Sequence, residues 1–172
     1  MVTKPHWVPA YIGLGSNLEN PAQQVRAAID SLAGLPRTRL VARSALYATP
    51  PMGPQDQPDY VNAAAGLLTQ LAPLALLAEL QGLEQRQGRV RKDGDRWGPR
   101  VIDLDLLVYG TVRESVPGLD LPHSGIMERN FVLFPLRDIA PQLNVPGQGI
   151  VAALAAKLDD ADLRRVDKTY NK

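Results

Sequence analysis

Apolar residues recur along this chain in two rhythms, one of strands and one of helices. Val8 to Leu14 is a short apolar run ending in glycines, a strand signature. Asn20-Pro21 reads as a helix N-cap followed by proline at the first helical position, with Gln23 where a capping-box partner sits. Val25, Ala28, Ile29 and Leu32 follow at helical spacing and make one apolar stripe, and Gly34 and Pro36 stop the helix. Arg39 to Tyr47 alternates loosely and predicts a strand. Ala48 to Pro58 holds four prolines and Gly53, which predicts a shaped loop because each proline fixes its own φ. Strand character resumes over Asp59 to Thr69. Pro73 opens a second helix, with Leu76, Leu80 and Leu83 on one face and Leu77 beside them, ending near Gly88. Arg89 to Pro99 is a charged loop. Val101 to Tyr109 is the clearest strand: Ile102, Leu104, Leu106 and Val108 point one way, and Val101, Asp103, Asp105, Leu107 and Tyr109 the other.

This order of strand, helix, strand, strand, helix, strand predicts an α+β fold. The expected core is ferredoxin-like βαββαβ, an antiparallel sheet with helices on one face. The helix-free face is then available for a site. Residues 110–172 are expected to add loops, helical segments near Asn130 to Ile139 and Gly149 to Leu158, a short strand near Leu163 to Val166, and a frayed tail after Asp167.

The 172 residues predict one domain, since domains usually run to about 100–150 residues, and no internal repeat divides them. Cysteine is absent, which excludes a disulfide framework, a thiolate metal site and a cysteine nucleophile. No apolar run reaches the roughly 18 residues of a membrane span, and Met1 to Ala10 lacks a signal-peptide core, so a cytoplasmic protein is expected. A net charge of +1 argues against a broad nucleic-acid surface. It hides a local imbalance: between Arg86 and Arg100 six basic residues stand against Asp93 and Asp95, and Asp103 and Asp105 follow directly.

Two aspartates two apart on a strand emerge about 6.6 Å from one another on one face. That separation suits one divalent cation or two, and magnesium suits hard oxygen ligands completed by substrate phosphates. A solvated strand face is the plain alternative. Aspartate is a poor strand former, however, and here two stand on a strand whose other face is aliphatic, next to an arginine-rich loop. Arginine offers fixed, bidentate geometry to phosphate oxygens. Tyr60 and Asn62 alternate on one face of their strand, an aromatic and an amide suited to a flat heterocycle, although a core ring is the simpler reading of Tyr60 and of Phe131 taken singly. His123, after Pro122, is a weak signal that gains from Arg129 nearby; His6 is read as surface. Gly13-Leu14-Gly15-Ser16-Asn17-Leu18 lacks the third glycine of a dinucleotide fingerprint, and no Walker A pattern exists.

Several stretches together resemble the 6-hydroxymethyl-7,8-dihydropterin pyrophosphokinase family of folate biosynthesis: Tyr11 to Leu18; Tyr47-Ala48-Thr49-Pro50-Pro51-Met52-Gly53; Gln57 to Asn62; Gly88 to Arg91; Arg96-Trp97-Gly98-Pro99-Arg100-Val101-Ile102-Asp103-Leu104-Asp105-Leu106; Pro122-His123; and Arg129 to Leu133. The resemblance covers residues 10–145 or so and implies pyrophosphoryl transfer from ATP to the 6-hydroxymethyl group of the reduced pterin, releasing AMP. It implies that Asp103 and Asp105 hold two Mg2+ ions bridging the ATP phosphates. Arg89 and Arg100 match arginines that stabilise the transferring group. Gln81, Glu84, Arg91, Arg96, Trp97, Leu106, His123 and Arg129 match nucleotide-side positions, the loop around Arg91, Arg96 and Trp97 closing over the triphosphate. Tyr60 and Phe131 would sandwich the pterin, with Asn62 and the backbone near Thr49, Pro50 and Met52 at its edge. The sequence departs from the family at Pro117-Gly118-Leu119-Asp120, where members often carry a basic or polar ATP contact, and at Ser124, where a larger side chain is common.

No side chain is an obvious general base, so the reading relies on a metal-lowered hydroxyl pKa and on positioning. Small-molecule substrates and a monomer are expected, with association with neighbouring folate enzymes as an open partner. Two rivals stand against it. A ferredoxin-like RNA reader stacks bases on sheet aromatics, but aromatics are 5% of this chain and the sheet face carries acids. A nucleotide-sugar transferase using Asp103-Leu104-Asp105 gives the Arg-Trp-Gly-Pro-Arg segment no role.

Overall fold

The computed structural model describes residues 4–89 and 99–166. In chain order the elements are β1 (Val8–Ser16), α1 (Pro21–Leu32), β2 (Thr38–Arg43), β3 (Leu46–Thr49), β4 (Tyr60–Thr69), α2 (Pro73–Arg86), β5 (Asp103–Tyr109), β6 (Glu114–Val116), β7 (Leu119–Leu121), α3 (Asn130–Ile139), β8 (Asn144–Val145), β9 (Gly149–Ile150), α4 (Val151–Ala155) and β10 (Arg164–Val166). Six strands form one antiparallel sheet in the order β10-β3-β4-β1-β5, with β2 pairing with β4 beyond the end of β3.

The expected strand over Arg39 to Tyr47 is two strands. Both β2 and β3 pair with β4, and between them the ladder breaks at Ser44 and Ala45. Ser44 carries the pairing across: its N–H donates to the Ala64 carbonyl (2.9 Å), and its hydroxyl accepts from the Ala64 N–H (2.8 Å). At the start of α1, Asn20 adopts a left-handed conformation (φ 62°) and caps no backbone N–H; its amide instead donates to Gln23 Oε1 at 3.1 Å. The expected capping box does not form. Pro21 at the first helical turn sets the start.

On one face of the sheet, Val25, Ile29 and Leu32 of α1 and Leu76, Leu80 and Leu83 of α2 pack against Ala10, Ile12, Leu14, Leu67, Leu104 and Leu106. The expectation that helices occupy one face alone is corrected. Leu133 and Leu136 of α3, with Val151 and Leu154 of α4, pack on the opposite face against Ala64, Leu107 and Val108. The reason is a bulge in β5. Tyr11 pairs with Val108 but Ile12 pairs with Leu106, so Leu107 is an extra residue. The alternation read from the sequence holds through Leu107 and then reverses. Val108 turns to the α3 side, and Tyr109 to the α1–α2 side, where its hydroxyl donates to the Leu71 carbonyl at 2.6 Å. One inserted residue thus gives the second face a hydrophobic patch, and α3 covers it. The end of that face beside Asp103, Asp105 and Tyr60 remains open. No helix among the described residues is long and apolar enough to cross a membrane.

Candidate active site

The strand register assembles the site in rows. Directly opposed residues in an antiparallel sheet share a face. Asp103 opposes Gly15, Gly15 opposes Asn62, and Asn62 opposes Tyr47; one row along, Asp105 opposes Gly13, which opposes Ala64. The Gly-Leu-Gly segment that fails as a dinucleotide fingerprint is therefore the floor between the acids and the amide. A Cβ at Gly15 would lie 3.1 Å from Asn62 Oδ1, and one at Gly13 would lie 3.3 Å from Leu107 Cδ2. The resulting cleft has a volume of about 280 Å³.

At one end of the cleft stand Arg100, Asp103, Asp105, His123 and Arg129; at the other, Thr49, Pro50, Met52, Tyr60, Asn62 and Phe131. Eleven of the residues singled out in the sequence thus line one cavity. Arg91, Arg96 and Trp97 lie outside the described residues. Leu106 is in the core on the α1–α2 side and is 2% exposed, so its side chain is turned from the cleft. Gln81, on α2, is half-buried and does not line the cleft. Arg89 and Glu84 stand behind the cleft wall rather than in it. Glu84 is 1% exposed; its carboxylate accepts from the Leu104 N–H (2.8 Å) and pairs with Arg89 (2.7 Å). Arg89 in turn donates to Asp103 Oδ1, and Arg100 donates to Asp103 Oδ2 at 2.9 Å. Burial works against the Arg89 charge, but the Asp103 and Glu84 carboxylates more than offset it and hold its pKa above the usual guanidinium value.

The two aspartates are therefore not equivalent. Asp103 has a guanidinium on each oxygen. Among the described residues Asp105 has no such pairing: His123 Nε2 is 3.9 Å from its Oδ1. Burial, then the Asp103 and Glu84 charges, push the Asp105 carboxyl up to about 7, with Arg129 and Arg100 pulling back. Its side chain keeps 37% accessibility toward the cleft, so water screens part of this effect. A raised folded-state pKa means that the folded protein holds a proton which the unfolded chain releases. Stability from this group is full below about pH 4 and is lost as pH rises to about 7. Asp105→Asn, which has no proton to lose, is expected to unfold about 2–4 °C above wild type at pH 8, for roughly 1 kcal/mol after allowance for screening, and to match it at pH 4. Thermal melts of both proteins without added metal check this.

His123 is fixed by its surroundings. Its N–H donates to the Leu107 carbonyl (2.8 Å), a bond made at the bulge residue, and its Nδ1 accepts from Gly125 N–H (3.0 Å). Burial and then Arg129 lower its pKa, while Asp103 and Asp120 pull the other way. The neutral ring then carries its proton on Nε2, as a donor facing the cleft. Arg129 lies 5.9 Å over the Phe131 ring, joining the charged and aromatic ends. Asn62 donates from Nδ2 to Thr49 Oγ1 (2.9 Å), which leaves Oδ1 leaning over Gly15.

Asn17, which sequence reasoning does not assign to the site, ties its borders together. It is 1% exposed. Its Nδ2 donates to Gln57 Oε1 and to the Pro58 carbonyl (both 3.0 Å), and its Oδ1 accepts from Arg100 N–H (2.8 Å). The signal available in the sequence is an asparagine directly after an apolar strand, too common a feature to single out.

Two hard carboxylates open to the cleft, one of them, Asp105, pushed up by burial and then by the Asp103 charge, suit a divalent cation that takes its remaining ligands from substrate oxygens and water. Among the described residues no third acidic or imidazole side chain joins them in a ligand group. Paired acids between guanidinium groups, with two rings and an amide at the far end, are the equipment of a transferase that moves a charged group onto a flat acceptor. The comparisons with known proteins define that class further. The sequence pattern described as 7,8-dihydro-6-hydroxymethylpterin-pyrophosphokinase matches residues 11–141, and the chain belongs to that family. It is 51% identical over 147 residues to the 2-amino-4-hydroxy-6-hydroxymethyldihydropteridine pyrophosphokinase of Pseudomonas aeruginosa, covering 85% of this chain and 90% of that one. It is 44% identical over 130 residues to a folate synthesis bifunctional protein of Arabidopsis thaliana, covering 74% of this chain and 23% of that one. The fold matches a Plasmodium falciparum HPPK-DHPS crystal structure with a TM-score of 0.68 at 14% identity; the overlap is 91% of this chain and 43% of that one, so this chain spans under half of it.

Proposed function

We propose that this chain transfers the pyrophosphoryl group of ATP to the 6-hydroxymethyl group of 7,8-dihydro-6-hydroxymethylpterin, giving the pterin diphosphate and AMP in folate biosynthesis. The observation that carries the reading is the single cleft joining Asp103, Asp105 and Arg100 to Tyr60, Asn62 and Phe131, in a member of this family. The pterin hydroxyl oxygen attacks the β-phosphorus, the bond to the oxygen bridging the α- and β-phosphorus breaks, and the hydroxyl proton leaves to water. Asp103 and Asp105 would hold two Mg2+ ions, which supply charge neutralisation and a more acidic hydroxyl when bound. Arg89 and Arg100, one on each oxygen, hold the Asp103 carboxylate in place. Arg100, Arg129 and the neutral His123 offer N–H donors to phosphate oxygens. Tyr60 and Phe131 hold the pterin between their rings, Asn62 takes its polar edge, and Thr49, Pro50 and Met52 shield that end from water.

The same reading assigns the core to the ferredoxin-like arrangement, with β2 and β3 together as its second strand; the order β3-β4-β1-β5 supports it. It treats the 172 residues as one catalytic domain, a monomer in the cytoplasm. Association with other folate enzymes is supported by the bifunctional relatives, in which the matching part is joined to further chain. Incubation with ATP, Mg2+ and hydroxymethyl-dihydropterin is expected to give AMP and a pterin heavier by a diphosphate in mass spectra. ADP with a pterin monophosphate, or no pterin product, would overturn the reading.

A further inference from the structure

The geometry points to Tyr47 and Asp138 as positioning residues that set the slot between Tyr60 and Phe131 for the heterocycle. The inference rests on the reading of that slot as the pterin site. Tyr60 begins β4, whereas Phe131 is in the first turn of α3, so the slot has one wall on the sheet and one on a helix. Its width is the position of α3 relative to β3 and β4. Apolar packing of Leu133 and Leu136 holds α3 down, but such contact is non-directional and does not by itself fix where the helix lies along the sheet.

The directional bond comes from Asp138, about two turns beyond Phe131. Its Oδ2 accepts from the Tyr47 hydroxyl (2.7 Å) and from the Ala45 N–H (3.3 Å). Tyr47 is in β3 and Ala45 is in the break just before it, where the interrupted ladder leaves its N–H for Asp138. Tyr47 directly opposes Asn62, and Thr49 opposes Tyr60. The tie therefore fastens α3 to the two strands that carry the rest of the slot. Pro135 adds to its leverage. It has no N–H to offer the Phe131 carbonyl, so the turn bearing Phe131 lacks one bond of its own ladder; Asn130 ties it to the Asp159 carbonyl and Asp162 Oδ1 (both 2.9 Å), not to the sheet, and its place over the sheet depends on where the rest of α3 is fastened. Burial and the bond to Asp138 raise the Tyr47 pKa to about 12, so the phenol keeps its proton and remains the donor. Nothing in this tie touches the Asp103–Arg100 end.

The test is equilibrium binding of two probes, 6-hydroxymethylpterin by fluorescence and ATP with Mg2+ by calorimetry, at a temperature well below the melting point of every variant. Tyr47→Phe keeps the ring and removes the donor. It is expected to weaken the pterin about five- to tenfold and to leave ATP within twofold, as loss of a bond to a charged acceptor allows. Asp138→Ala should match it, and the double variant should add little more. Asp138→Asn keeps an acceptor oxygen and should restore pterin affinity to within twofold. Equal weakening of both ligands, or unchanged pterin affinity in Tyr47→Phe, would overturn the inference. Phe131→Ala separates the two levels: if it weakens the pterin while Tyr47→Phe does not, the positioning role alone falls, and if it binds the pterin as wild type does, the slot itself is misread and both fall.

Discussion

Asp105→Ala is expected to lower turnover by at least about a hundredfold at saturating ATP and Mg2+, a loss of roughly 2.7 kcal/mol of transition-state stabilisation. Of the two strand aspartates, Asp105 is the one that no guanidinium pairs with among the described residues. Asp103 is paired with Arg89 and Arg100, whereas Asp105 faces a weakly basic His123 and the repulsion of Asp103 and Glu84. A carboxylate so placed gains most when a divalent cation is present. On the proposed reading, removing it takes away a metal ligand without breaking a guanidinium–carboxylate pair among the described residues, so activity should fall while the melting temperature does not. Release of AMP measures the first and a thermal scan the second, and binding of 6-hydroxymethylpterin without ATP should stay within twofold of wild type. Turnover within threefold of wild type would remove Asp105 from the metal site. Asp103→Ala is a poorer probe, because it also removes a carboxylate that both Arg89 and Arg100 bind.

The parts of this arrangement written in local pattern are legible in the amino-acid order itself. Helices α1 and α2 follow from leucine, isoleucine and valine at helical spacing after a proline. The shared face of Asp103 and Asp105 follows from period-two alternation in β5. What local pattern does not carry is the register between strands. The bulge at Leu107 exists only as a mismatch between β1 and β5, yet it decides that Val108 faces α3 and that the second face is half covered. The break between β2 and β3 is likewise defined by their common partner β4, and by Ser44 replacing the ladder there. The same limit governs the site. The glycines at 13 and 15 fail as a dinucleotide fingerprint in the sequence, but only pairing shows them spanning from the acids to Asn62. Glu84 is matched by resemblance to a nucleotide-side position, whereas the structure buries it one place beyond Leu83. Its burial beside Arg89 needs the packing of α2 on β5 to become visible.

That buried pair carries the largest expected change in stability. Arg89→Ala should destabilise the fold by about 3–5 kcal/mol, the usual consequence of removing one member of a buried ion pair and leaving the other. Side-chain accessibility is 12% for Arg89 and 2% for Glu84, so removing the guanidinium takes the 2.7 Å cationic contact from a buried carboxylate, while its bond from the Leu104 N–H remains. At roughly 2–4 °C per kcal/mol for a chain of this size, the melting temperature should drop by about 6–20 °C. Asp103 is less affected, because Arg100 still holds its other oxygen. The cause can be isolated with Glu84→Gln. A glutamine accepts from the Leu104 N–H as glutamate does but carries no charge to strand, so the double variant Glu84→Gln, Arg89→Ala should recover more than half of the lost stability. Activity should not recover with it, because Asp103 still lacks one of its two guanidinium partners. If the double variant were as unstable as Arg89→Ala alone, the cost would come from lost packing of the arginine stem and not from an uncompensated carboxylate. If stability and activity returned together, Arg89 would have no part in the chemistry beyond holding α2 against β5.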